Sequence, residues 1–169
     1  MKVGDAITVL PSGRTSTVRA LTIAGTTADR ALPGDAIAVE LADHVDVGRG
    51  DVLVVTNASS MPTVTRQLSV DVCWMADAPA RSQQRVLVKH LASQVGATIT
   101  TVTHRLNPAT LARESVDSLD LNDLGRLELQ LDEPIAADRY SLGRATGHLV
   151  LIDESSNATA AAATIHRVS

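Results

Sequence analysis

Along most of this chain hydrophobic and polar residues alternate with a period of two, the signature of half-buried β-strands. The clearest case is "RLELQLDEP", 126–134, with Leu127, Leu129 and Leu131 on one face and Arg126, Glu128 and Gln130 on the other. "QLSVDVCWM" sets Leu68, Val70, Val72 and Trp74 against Ser69, Asp71, Cys73 and Met75. "TVRALTIAG" (17–25), "RVLVKHL" (85–91), "ATITTVTHRL" (97–106) and "GHLVLID" (147–153) are further strand candidates, rich in Val, Ile and Thr. A helical turn is expected in "NPATLARESVDSLDLND", 107–123. In "NATAAAATI", 157–165, alanine favours a helix, but Thr159, Thr164 and Ile165 favour strand. Small side chains also suit a crowded barrel wall, so this segment reads as the last strand.

One device recurs at the start of the chain: "VGDAITVLP" (3–11), "PGDAIAVEL" (33–41) and "RGDVLVV" (49–55). Each is a Gly-Asp pair followed by apolar alternation: Ile7/Val9, Ile37/Val39/Leu41 and Val52/Val54. Glycine reaches positive φ without steric cost, and aspartate bonds back to nearby backbone amides. Short strands launched by such turns predict a small antiparallel barrel. The tripeptide Arg49-Gly50-Asp51, which adhesion receptors read, is accounted for as one of these turns. "TNASSMPT", 56–63, is small, polar and closed by Pro62, and reads as a linker. The predicted organisation is all-β, two small antiparallel barrels over 1–61 and 62–169.

Composition changes the picture in two ways. With one Trp, one Tyr and no Phe in 169 residues, the core must be aliphatic. The formal charge of −4 argues against a general nucleic-acid binder, although the dispersed arginines leave room for a local basic patch. A single cysteine, Cys73, forms no internal disulfide and reads as a small buried hydrophobe rather than a nucleophile. The N-terminal residues do not read as a secretory signal and no apolar run approaches a membrane span, so the chain is expected in the cytoplasm. The sequon Asn157-Ala158-Thr159 is then a turn rather than a sugar acceptor.

Self-contained chemistry is not visible. The phosphate-cradling G-x-x-x-x-G-K-[ST], the dinucleotide G-x-G-x-x-G and the G-x-S-x-G elbow do not occur. His44, His90, His104, His148 and His166 lack metal-ligand spacing. "DLNDLGRLELQL", 120–131, approaches a calcium loop but has Leu124 and Leu131 where oxygens are needed, and reads as a polar turn entering the Leu127 strand. No catalytic, cofactor or metal residue is assigned. The polar stretch "DEPIAADRYSLGRATG", 132–147, gathers Asp132, Glu133, Asp138, Arg139, Tyr140 and Arg144 in what reads as one long connection. It is either a solvated loop held by its own ion pairs or a partner contact with Arg139, Tyr140 and Arg144 as interface residues.

"SVDVCWMADAP" (69–79), "LNDLGRLELQLDEPIAADRY" (121–140) and "RATGHLVLIDESSNAT" (144–159) together resemble the large, GTP-binding subunit of bacterial sulfate adenylyltransferase, and "VGDAITVLPSGRTSTVRAL" (3–21) and "RGDVLVV" fit the preceding barrel of that family. The family is similar in plan to elongation factor Tu, a GTPase domain followed by two β-barrels. The resemblance implies a translation-factor domain 2-like barrel, incomplete at its N-terminus, and a domain 3-like barrel, with the GTPase domain missing. It implies a role in sulfate activation, ATP plus sulfate giving adenylyl sulfate and pyrophosphate, coupled to GTP hydrolysis. This chain would act as a catalytically inactive scaffold and docking surface for the small, adenylyl-transferring subunit, with a separately encoded GTPase domain as a second candidate partner. GTP, ATP and Mg belong to the full-length complex; none is expected on this chain. Neither nucleic acid nor membrane is an expected partner. Two alternatives stay open: a barrel pair from a translation-type GTPase that binds RNA, and an inert truncated remnant.

Overall fold

A computed structural model describes residues 1–56, 58 and 61–169. The linker stretch 56–63 therefore falls partly outside the described residues. Every regular element among those described is a strand, and they fall into two units, Met1–Met61 and Pro62–Ser169.

The first unit contains β1 (Ala6–Leu10), β2 (Arg14–Ile23), β3 (Thr26–Ala28), β4 (Ile37–Leu41) and β5 (Val52–Val55). They form an antiparallel sheet of order β3-β2-β1-β5, with β4 also paired to β2. Ile7, Val9, Val18, Leu21 and Ala31 make its small buried core. The alternation in β1 buries Ile7 and Val9 as expected. That of β4 is only partly covered: Val39 and Leu41 are half-buried and Ile37 is 36% exposed.

The second unit contains β6 (Thr63–Trp74), β7 (Ala80–Arg81), β8 (Arg85–His90), β9 (Ser93–Leu106), β10 (Arg113–Glu114), β11 (Ser118–Leu119), β12 (Leu124–Ala137), β13 (His148–Asp153) and β14 (Thr159–Val168). The order β9-β12-β6-β14-β13-β8 closes on itself because β8 also pairs with β9, giving a six-stranded antiparallel barrel. Closure leaves no free edge among these strands. Leu68, Val70, Val72 and Trp74 point inward from β6, and Leu127, Leu129 and Leu131 from β12, as the alternation requires. Trp74 is fully buried and sits opposite Ala161 in the β14–β6 register. The alanine run is thus strand, and small side chains there make room for the one large ring.

The Gly-Asp turns have a common geometry. In Lys2–Asp5, Leu32–Asp35 and Gly48–Asp51 the fourth residue's N–H donates to the first residue's carbonyl, each at 3.2 Å. The third residue is a glycine at φ +87, +97 and +104 respectively, which defines a type II turn. In return the aspartate Oδ2 accepts the first residue's N–H at 2.8, 2.7 and 2.8 Å. Asp120–Asp123 repeats the pattern with Asn122 at φ +68 in the glycine's place and Asp123 accepting at 2.8 Å. Arg81–Gln84 repeats it again with Gln83 at φ +68 and the Gln84 side-chain oxygen accepting at 3.0 Å. A strand begins within two residues of each turn: β1, β4, β5, β12 and β8.

Three local expectations need correction. Residues 107–123 hold a single α-type turn, Leu111 N–H to Asn107 C=O at 2.7 Å, and then the short strands β10 and β11. Stretch 132–147 is not one connection: β12 continues to Ala137 through a register shift between Gln130 and Ile135, where Pro134 lacks the N–H a ladder needs. Asp132 there pairs with Arg85 at 2.7 Å, away from the connection that begins at Asp138. Cys73 is half-buried on the outer face of β6 rather than in the core.

Asn157, at φ +56, closes the β13–β14 hairpin in the left-handed position that asparagine tolerates. Asp153 Oδ1 accepts bonds from the hydroxyls of Ser155 and Ser156 at 2.6 and 2.7 Å, and these bonds hold its pKa down to about 2.

Candidate interaction groove

Antiparallel pairing puts register partners side by side on one face, so the barrel's outer wall can be read row by row. One row runs His104, Arg126, Asp71, Thr164, His148 across β9, β12, β6, β14 and β13. The next row on the same face, two residues along each strand, is Leu106, Leu124, Cys73, Ala162, Val150. A polar band therefore lies beside an apolar one. A groove of about 970 Å³ is lined by both rows.

Two loops contribute to its walls. Arg113, after the turn at 107–111, comes from the β9 side. Tyr140 and Arg144 come from the connection 138–147, which leads into β13. That connection is held by main-chain and side-chain bonds. Tyr140 N–H donates to the Ile165 carbonyl at 2.9 Å, Ile165 N–H to the Gly147 carbonyl at 2.7 Å, and Thr146 Oγ1 to Asp138 Oδ2 at 2.6 Å. Gly147 is buried beneath Tyr140, and a Cβ built there would lie 2.6 Å from the Gly143 oxygen and 2.7 Å from the Tyr140 nitrogen.

Of the three sequence candidates, the structure brings Tyr140 and Arg144 to the groove, Tyr140 39% exposed and Arg144 exposed. Arg139 does not line it; its carbonyl closes the loop by accepting from Leu142 and Gly143 N–H at 2.9 and 3.1 Å. No ion pair of Arg139 or Arg144 holds the loop among the described residues.

Within the polar row, Arg126 donates to Asp71 through Nε at 2.8 Å and a terminal nitrogen at 3.1 Å, a two-pronged contact that fixes both planes. His166 approaches the same carboxylate at 3.8 Å. His104 is held below the ordinary imidazole value by burial and then by the positive charges of Arg126 and Arg113. These effects disfavour its charged form, against the opposing pull of Asp71.

Behind the loop, His90 is 2% exposed and its Nε2–H donates to the Thr146 carbonyl at 2.9 Å. Burial lowers its pKa, with His148 also opposing the charged form, against the Thr146 bond and Asp138, which favour it. The depressed value has a direct consequence. The unfolded chain takes up this proton first, so the stability His90 contributes is complete above the unfolded value of about 6.5 and is lost as pH falls below it and through the lowered folded value. The second unit is expected to melt at a lower temperature at pH 5 than at pH 7.5, and His90→Gln to flatten that dependence in calorimetry. An unchanged slope would contradict it.

The sequence missed Arg113, Arg126, His104 and His148 as groove residues. Only Leu106 and Leu124 left a trace, as apolar residues outside the buried alternation of their strands.

This fold defines an all-β module built on a closed six-stranded antiparallel barrel. The chain belongs to the GTP-eEF1A C-terminal domain-like family, whose model matches residues 67–166. Among curated proteins it is similar to sulfate adenylyltransferase subunit 1 of Laribacter hongkongensis, at 39% identity over 98% of this chain and 34% of that protein. It is likewise similar to subunit 1 of Tolumonas auensis, at 34% identity over 94% of this chain and 33% of the relative. The bifunctional enzyme CysN/CysC of Mycobacterium tuberculosis is 36% identical over 99% of this chain and 27% of its own length. The resemblance read from the sequence motifs holds, and the chain spans about a third or less of these relatives. Among solved structures, sup35 complexed with GDP superposes with a TM-score of 0.87 at 15% identity, covering 100% of this chain and 41% of the other, a likeness of fold. Among the described residues no helix is long and apolar enough to cross a membrane.

Proposed function

We propose that this chain is the barrel portion of a sulfate adenylyltransferase large subunit and serves as a non-catalytic docking surface for the small, adenylyl-transferring subunit in the cytoplasm. The observation that carries this is the 39% identity to subunit 1 of Laribacter hongkongensis across 98% of the chain. The outer wall of the second barrel supports it, since its exposed rows join apolar area to arginine and tyrosine, the composition of interface anchors. ATP and sulfate chemistry would belong to the partner, and GTP with Mg to a GTPase domain. This chain then transmits position rather than making or breaking bonds.

Calorimetric titration tests the reading. The chain is expected to bind the small subunit of the same organism and to give no heat with GTP and Mg. Tight GTP binding, or no binding of the small subunit, would overturn it.

A further inference from the structure

Of the three arginines that line the groove, two are free of any carboxylate among the described residues. Arg126 is committed to Asp71, and Arg105 to Glu114 at 2.8 Å and Asp123 at 3.7 Å. Arg113 and Arg144 are both exposed and, among the described residues, neither pairs with a carboxylate. They come from opposite sides of the groove, Arg113 from beside β9 and Arg144 from the loop entering β13. Asp71, the acidic residue of the lining, is already neutralised by Arg126. On a chain of formal charge −4 this wall is locally positive.

Between the two arginines the floor is the apolar row of Leu106, Leu124, Cys73, Ala162 and Val150. The loop carrying Tyr140 and Arg144 is already fastened to β14 by its main chain, so little ordering is needed on binding.

We propose that the groove seats a segment of the small subunit, with aliphatic side chains against the Leu124 row and a carboxylate near each end meeting Arg113 and Arg144. This rests on the module reading above and adds the chemistry of the contact. The end charges steer association and set orientation, because rim charges act mainly on the encounter rate. The apolar row and Tyr140 slow dissociation.

The test uses surface-plasmon kinetics with the immobilised small subunit and the full chain in solution. The double variant Arg113→Glu/Arg144→Glu is expected to bind at least about tenfold more weakly, chiefly through slower association. Its affinity should also change less than wild type's as ionic strength rises, since the attraction being screened is gone. Leu124→Gln is expected to speed dissociation. All three positions are exposed, so the variants should melt as wild type does, which calorimetry checks. If wild type binds and the double variant binds within about twofold of it, the groove assignment is overturned while the module reading stands. If wild type does not bind, the module reading itself has failed. If Leu124→Gln instead breaks up a dimer seen in sedimentation of wild type, the occupant is a second copy and the proposal is wrong.

Discussion

Trp74→Ala is expected to lower the melting temperature of the second unit by about 15 °C, from a loss of ~3–5 kcal/mol. Trp74 is fully buried, and its indole N–H donates to the Ala78 carbonyl at 2.8 Å. The register partner Ala161 is too small to follow the ring into the space it leaves. The chain has no Phe, and the surrounding buried residues are aliphatic side chains fixed in strands of a closed barrel, so collapse into the cavity is restricted. Trp74→Phe keeps most of the volume and loses the N–H bond, and should cost roughly a third as much. Differential scanning calorimetry measures both. A shift below about 5 °C for alanine would mean the barrel relaxes far more than its closure allows.

Gly147→Ala is expected to cost ~1–3 kcal/mol and to weaken the proposed binding to the small subunit at least about tenfold. The new methyl would meet main-chain atoms, the Gly143 oxygen and the Tyr140 nitrogen, rather than a side chain that can swing away. Relief requires moving the loop, which breaks the Tyr140 N–H bond to Ile165 and shifts Tyr140 and Arg144 off the groove. Gly48→Ala is the control: the nearest atom to its added carbon is Asp51 Oδ2 at 3.8 Å, ordinary contact. Unaltered affinity in Gly147→Ala would show that the loop's position does not matter for docking.

The strands were legible because burial on one face forces a two-residue period, as in Leu127, Leu129 and Leu131. Where the period breaks, legibility ends. The register shift after Gln130 adds residues without changing composition, so Asp132 and Glu133 read as loop although they belong to β12. Pro134 carries the signal of this irregularity, since it interrupts the ladder without ending the strand. The two-residue strands β7, β10 and β11 carry no period at all. The groove was hidden for a different reason. Asp71 and Arg126 are 55 positions apart, and the row they share exists only once β6 and β12 have paired. The loop residues Tyr140 and Arg144 could be found because polar and aromatic character clustered locally, whereas Arg113 and His104 join them only through strand pairing.

The type II turns described above bear on how the chain reaches this state. Each is sealed by two bonds between residues three apart, so its formation requires no distant segment. Local closure of this kind takes on the order of microseconds, whereas barrels assembled from far-separated strands fold over milliseconds to seconds. Five strands thus have a locally encoded starting point that depends on no distant partner. What is left for the slow search is the order of the strands.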